Sequence, residues 1–143
     1  MKLAFIGTGK IIADALFAIE PIKEIEKTAI FARPHSKEKA EAFAKQYNIA
    51  EVYTDYEKLL TETTADTVYI GLINSAHYSY AKQALLHGKN VILEKPFTGF
   101  YNEAQELQQI AEENKLFIFE AVTVLHNEVF LSLIHISEPT RLA

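Results

Sequence analysis

The sequence predicts an α/β protein with a doubly wound parallel sheet, arranged as three αβα layers. Short apolar runs alternate with amphipathic helical patterns from the N-terminus to about residue 120. Consecutive apolar positions are typical of strands that are buried on both faces. A helix between successive strands permits parallel pairing, and the right-handed crossover rule then places helices on both sides of one sheet. A chain of 143 residues has room for one such domain.

The first half of the chain contains three predicted strands and three predicted helices. In order, these are a strand at 3–7, a helix at 11–20, a strand at 28–32, a helix after Ser36, a short strand near 51–53 and a brief helix. Apolar residues recur at helical spacing from Ala40 to Tyr47, and Ser36 is the expected N-cap of that helix. Thr54 and Glu57 have the spacing of a capping box, which predicts where the brief helix starts.

The second half continues the same alternation. The predicted elements are a strand at 67–72, a helix that ends at Gly88, a strand at 90–94, a helix capped by Asn102 and a strand at 116–120. Gly88 suits the left-handed conformation that commonly follows a helix. The sequence shows no internal repeat.

Composition excludes several classes of function. The net charge of −5 argues against nucleic-acid binding, because a protein that binds phosphate backbones needs a basic face. No stretch approaches the roughly 20 apolar residues of a membrane span, and the absence of cysteine favours the reducing cytoplasm. We predict no metal site, because no histidine in the following set has a partner at ligand spacing: His35, His87, His126 and His135.

A glycine-rich loop between the first strand and the first helix predicts dinucleotide binding. Gly7 permits the tight turn, and Gly9 lets a diphosphate approach the backbone at the positive end of the helix. The third fingerprint position is Ile12, whose branched side chain we expect to hold the helix slightly away from the sheet. A tight turn without a ligand is the structural alternative.

The segment after the second strand bears on which dinucleotide is bound. No acid appears there before Glu38, whereas Arg33 and Ser36 are present. A guanidinium and a hydroxyl suit a 2′-phosphate, so the sequence favours NADP(H) within the NAD(P) class. The alternative is that Arg33 stacks on the adenine, which would serve either cofactor.

The fifth strand ends in Glu94, Lys95 and Pro96, at the edge where ligands of such sheets bind. Neighbouring side chains on a strand point to opposite faces, so Glu94 and Lys95 need not form an ion pair. A lysine beside a nicotinamide is a credible proton acceptor for a hydroxyl, or a donor to a carbonyl. A surface turn with a solvated lysine is the structural alternative.

Four short motifs together resemble the Gfo/Idh/MocA oxidoreductases, the family of glucose–fructose oxidoreductase and inositol dehydrogenase. They are GTGKI (7–11), INSAH (73–77), EKP (94–96) and EA (120–121), and the resemblance runs to about Phe130. It implies a Rossmann domain that binds NAD(P) and a hydride transfer between nicotinamide and a hydroxyl-bearing carbon of a sugar, cyclitol or dihydrodiol. It also implies a small polyol or sugar as substrate and a parent protein that is a homo-oligomer.

The resemblance assigns roles to residues of this chain. Lys95 is the implied catalytic residue, in contact with the nicotinamide ribose and the reacting hydroxyl. The implied cofactor-binding residues are Gly7, Thr8, Gly9, Lys10, Ile11, Arg33, Ser36, Asn74, His77, Glu94, Pro96 and Glu120. Without the resemblance, His77 would be read as a helix cap or a surface residue.

The final segment does not continue the pattern. Residues 131–143 read LSLIHISEPTRLA, which resembles the translation of a transposon-type sequencing adapter. We therefore expect a nucleotide-binding domain at 1–120, the start of a connection to an absent substrate domain at 121–130, and a non-native tail at 131–143. Residues 1–143 alone are then expected to bind a dinucleotide weakly without turning over substrate.

Two other functions compete with a dehydrogenase. A regulator of the same fold could sense a dinucleotide without chemistry, and Lys95 beside Pro96 argues for the enzyme. A methyltransferase has a similar glycine loop, but it would want an acid at the end of the second strand, where this chain has none.

Overall fold

The computed structural model describes residues 1–121 of the chain. Their strands are β1 (Lys2–Ile6), β2 (Glu26–Phe31), β3 (Glu51–Tyr53), β4 (Thr67–Ile70), β5 (Asn90–Glu94) and β6 (Ile118–Ala121). Their helices are α1 (Lys10–Ile19), α2 (Lys37–Tyr47), α3 (Tyr56–Glu62), α4 (His77–Leu86) and α5 (Tyr101–Glu113). Short 3-10 turns at Pro34–Ser36 and Asn74–Ala76 precede α2 and α4.

The strands form one parallel sheet in the order β3-β2-β1-β4-β5-β6. The chain first winds outward from β1 to β3 and then crosses back to β4, so the strand order reverses between β1 and β4. Crevices at such a reversal, outside the carboxyl ends of the strands, are the ligand sites of doubly wound sheets. This topology confirms the predicted fold class.

Each face of the sheet carries its own hydrophobic cluster. Side chains alternate along β1, so that Leu3 and Phe5 pack on one face while Ala4 and Ile6 pack on the other. Helices α1 and α2 cover the first face, and helices α3, α4 and α5 cover the second. The continuous apolar runs of the sequence are explained by this double coverage.

Several helix ends differ from the prediction. The N-cap of α3 is Asp55, whose carboxylate accepts a hydrogen bond from the Lys58 amide at 3.1 Å, so the proposed start at Thr54 is one residue early. Asn102 lies inside α5, which begins at Tyr101, so it is not the cap. Gly88 does adopt a positive φ of 76° after α4, as predicted.

The predicted connection and tail fall almost entirely on residues 122–143, which lie outside the described residues. Among residues 1–121, no helix is long and apolar enough to cross a membrane.

Candidate functional site: a dinucleotide cavity beside a lysine loop

The β1–α1 loop turns tightly at Gly7. This residue has φ +120°, and a Cβ there would lie 2.5 Å from the backbone oxygen of Gly71. Its amide donates a hydrogen bond to the Phe31 carbonyl at 2.9 Å, which ties the loop to the end of β2. Any side chain would be strained and would also clash with backbone, so the fold itself requires glycine here.

Gly9 differs, because the fold does not require it. Its φ of −75° and ψ of −179° are ordinary extended values, and a Cβ there would meet no atom of residues 1–121 within 4 Å. Gly9 is the N-cap of α1, and no side chain among the described residues caps that helix. The Ile12 amide donates to the Gly9 carbonyl at 3.1 Å, whereas the Lys10 and Ile11 amides have no acceptor among residues 1–121. Free amides at the positive end of the helix dipole suit a phosphate group.

A cavity of about 340 Å³ opens over this loop, at the reversal of strand order. Its walls come from the β1–α1 loop, the segment after β2 and the segment after β4. The lining residues are Gly7, Thr8, Gly9, Ile11, Ala32, Arg33, His35, Ser36, Gly71, Leu72 and Ile73. Of the predicted loop residues, Lys10 is not among them, since its ammonium pairs on the surface with Asp14 at 2.8 Å.

The branched residue at the third fingerprint position fits because glycine lies opposite it. Ile12 is fully buried against the end of β4. A Cβ on Gly71 would come within 2.8 Å of both the Ile12 Cδ1 and the Ile11 Cγ2 atoms. The space that the fingerprint usually provides on the helix is provided here by Gly71, directly after β4, so the branched Ile12 side chain is accommodated.

The wall after β2 is polar and carries no acid. Arg33 is exposed, Ser36 is half-buried, and both line the cavity. His35 also lines it, a position that the sequence pattern did not predict. No Asp or Glu is among the described residues of this cavity. The wall can therefore accept an anionic group without carboxylate repulsion.

The segment that carries Lys95 is anchored on both sides of that residue. Glu94 is buried and accepts a hydrogen bond from the Tyr69 hydroxyl. Burial, and then this hydrogen bond, raise the pKa of Tyr69, so the hydroxyl keeps its proton. Glu94 is therefore held by β4, and the Lys95–Pro96 peptide bond that follows is cis.

The downstream anchors come from α4 and β6. The Nδ1 atom of His77 lies 2.8 Å from the Pro96 carbonyl oxygen. The carboxylate of Glu120 accepts a hydrogen bond from the Phe97 amide at 2.9 Å. Lys95 itself is exposed and forms no ion pair with any of residues 1–121, so its amine is available at the rim of the sheet.

The structure places His77 differently from the expectation that it lines the cofactor. Its side chain is only 1% exposed, beneath the loops rather than on the cavity wall. Asn74, by contrast, is exposed in the turn before α4, next to the cavity residue Ile73. Since β4 and β5 are adjacent, with Ile70 paired to Leu93, the Lys95 segment lies beside the cavity wall formed after β4.

Among residues 1–121, no group of three or more histidines and carboxylates is placed to hold a metal ion.

Comparison with known proteins adds a family match. Residues 1–122 match the model of the Gfo/Idh/MocA proteins, described as an oxidoreductase family with an NAD-binding Rossmann fold. The chain is 30% identical over 120 residues to a trans-1,2-dihydrobenzene-1,2-diol dehydrogenase of Xenopus tropicalis, covering 84% of this chain and 36% of that protein. It is 32% identical over 122 residues to the NADP(+) scyllo-inositol 2-dehydrogenase of Bacillus subtilis, covering 85% of this chain and 37% of the relative.

The fold is also similar to that of a solved reductase structure. KijD10, a 3-ketoreductase from Actinomadura kijaniata in complex with TDP-benzene and NADP, superposes with a TM-score of 0.81 at 30% identity. The match covers 93% of this chain and 42% of KijD10. The chain thus spans little more than a third of the length of its two curated relatives.

Proposed function

We propose a function from the premise that this chain belongs to the Gfo/Idh/MocA family of oxidoreductases, which has an NAD-binding Rossmann fold. Residues 1–120 act as the dinucleotide-binding domain of an NAD(P)-dependent oxidoreductase. The reaction transfers a hydride between nicotinamide and a hydroxyl-bearing carbon of a sugar, cyclitol or dihydrodiol. Support for this substrate class comes from the relatives, which are a dihydrodiol dehydrogenase, an inositol dehydrogenase and a 3-ketoreductase.

The open space at Gly9 is the observation that carries the proposal. Gly7 is explained by the fold, whereas the missing side chain at Gly9 serves no contact within residues 1–121. A diphosphate at this point would accept hydrogen bonds from the first amides of α1 and would meet the helix dipole. Thr8 and Ile11 complete this wall of the cavity.

Lys95 is the residue proposed to move the proton. When bound, NAD(P) supplies the hydride acceptor or donor. In the oxidative direction, the Lys95 amine accepts the hydroxyl proton while the carbon gives up its hydride, and the reverse reaction returns both. The buried Glu94 and the Pro96 carbonyl lie on either side of Lys95 in the chain and hold its backbone at the rim.

The second cavity wall favours NADP(H). Arg33 can bind a 2′-phosphate through its guanidinium, and Ser36 can donate a hydroxyl hydrogen bond. His35 adds a further possible donor on the same wall. With no carboxylate on this wall, the ribose 2′-hydroxyl of NAD(H) lacks the acceptor that NAD-specific folds provide.

Titration of residues 1–143 with NADPH and with NADH tests the proposal. Nicotinamide fluorescence should report saturable binding of both, with the tighter binding for NADPH. A chain that is folded by circular dichroism and binds neither dinucleotide would refute the proposal. Tighter binding of NADH would refute only the assignment of Arg33 and Ser36.

A further inference from the structure

His77 lies between two loops and contacts a backbone carbonyl in each. Its Nδ1 atom is 2.8 Å from the Pro96 oxygen, and its Nε2 atom is 3.0 Å from the Leu72 oxygen. Leu72 lines the cavity, and Pro96 directly follows Lys95. One buried ring therefore connects the cavity wall to the lysine segment.

The chemistry of these acceptors restricts the ring. A carbonyl oxygen can only accept a hydrogen bond, and a neutral imidazole carries one N–H. In a neutral ring, the other nitrogen would direct a lone pair at a carbonyl oxygen about 3 Å away. Both contacts of His77 are hydrogen bonds only when both nitrogens carry hydrogen.

We propose that His77 acts in its doubly protonated form as a positioning residue, which couples the wall of the dinucleotide cavity to the segment that carries Lys95. Loss of one ring proton releases either Leu72 or Pro96, and the two loops then no longer hold each other. The effect on dinucleotide binding rests on the proposed function, whereas the state of the ring does not.

Charges around the ring act in both directions. The N-terminus of α4, where His77 lies, disfavours a positive ring. The two carbonyl dipoles oppose this effect at direct contact, because both direct their negative ends at the ring. Ionisable groups on the neighbouring strands are mostly held by contacts of their own: the Tyr69 hydroxyl donates to Glu94, and Glu120 accepts from the Phe97 amide. On α4 itself, Tyr78 and Lys82 both contact Glu106 of α5.

Ring ¹⁵N NMR of the 1–143 chain tests the protonation state directly. At the pH where NADPH binds most tightly, both nitrogens of His77 should show the shifts and one-bond couplings of N–H groups. A single N–H at that pH would overturn the inference. His87, the exposed C-cap residue directly after α4, provides an internal reference, since its ring contacts a single carbonyl among residues 1–121, that of Gln83 through Nδ1.

Binding measurements with His77→Gln test the coupling, with His87→Gln as the matched control. An amide can donate to one of the two carbonyls but must face the other with its oxygen, so NADPH binding should weaken about fivefold. His87→Gln should bind NADPH as tightly as the wild type, because the His87 ring contacts neither loop.

The outcomes separate the two proposals. If the wild type binds NADPH and His77→Gln binds it with the same affinity, the inference is wrong and the proposed function stands. If the wild type binds no dinucleotide at any pH, the proposed function and the coupling are wrong together. In that case, the ring ¹⁵N NMR spectrum still shows whether both nitrogens of His77 carry hydrogen and bridge the two loops.

Discussion

Replacing Gly9 by aspartate should separate ligand binding from stability, because the two change in opposite directions. A side chain at this position meets no atom of residues 1–121 within 4 Å, and the backbone conformation is one that any residue adopts. Aspartate is among the best N-cap residues, and its charge lies at the positive end of the helix dipole. The fold should therefore tolerate Gly9→Asp and become more stable by roughly 0.5–1 kcal/mol.

The same carboxylate would occupy the space assigned to the diphosphate. Two unit charges about 4 Å apart repel by roughly 4 kcal/mol at an effective dielectric constant near 20. After allowance for screening by salt at an open cavity, we expect NADPH affinity to fall at least about 100-fold.

Two assays measure these effects. Urea unfolding followed by circular dichroism gives the free energy of unfolding, and NADPH fluorescence titration gives the dissociation constant. Gly99→Asp is the matched control, since a Cβ there also meets no atom of the described residues within 4 Å, and it should leave both quantities nearly unchanged. Undiminished NADPH binding by a stable Gly9→Asp variant would refute the placement of the diphosphate.

Three further predictions concern the cavity wall, the packing of α1 and alkaline stability. Arg33→Ala should weaken NADPH binding about tenfold while leaving NADH binding within about twofold, as measured by parallel titrations; equal losses would assign Arg33 to the adenine instead. Gly71→Ala should lower the free energy of unfolding by about 1–2 kcal/mol through overpacking, and by clearly less in an Ile12→Ala background. Urea unfolding of both single variants and the double variant measures this coupling. If the two losses of unfolding free energy simply add, Ile12 and Gly71 do not pack against each other as described. Burial raises the pKa of Tyr69 and, together with Glu51, raises that of Tyr53 to about 12. An unfolded tyrosine has a pKa of about 10, so above that pH the unfolded chain loses these protons while the folded chain keeps them. The free energy of unfolding should therefore decline as the pH rises above about 10. Tyr69→Phe should flatten this decline, and an unchanged profile would show that Tyr69 does not contribute to it.

The fold was predictable because the pattern of apolar residues within each short segment indicates whether that segment is a strand or a helix. Buried parallel strands must be apolar on both faces, and the helices between them must carry one apolar stripe. Gly7 and Gly88 were also predictable, since positive φ is a backbone property that favours glycine.

Helix caps were less predictable, because near-equivalent residues compete within one or two positions. Asp55 caps α3 in place of Thr54, and the backbone of Phe100 precedes α5 in place of Asn102. Which residue supplies the cap depends on how the chain leaves the preceding strand or loop, and sequence spacing does not report that geometry.

The site was predictable where it follows the order of elements along the chain. It was unpredictable where it depends on contacts between segments that are distant in sequence. The glycine loop and Arg33 lie at the carboxyl ends of β1 and β2, as the order of elements requires. The fit of Ile12 against Gly71 joins residues 59 positions apart (71 − 12), and the contact of His77 with Pro96 joins α4 to the segment after β5. The assignment to the cytoplasm and to a homo-oligomeric parent stays a prediction.

A structure of residues 1–143 with bound NADPH would be the most direct measurement of the central claim. We predict the diphosphate within hydrogen-bond distance of the first amides of α1, over Gly9. The nicotinamide should lie close enough to Lys95 for one substrate hydroxyl to contact both the ring and the Lys95 amine. A diphosphate bound elsewhere, or a nicotinamide on the far side of the sheet from Lys95, would contradict the account.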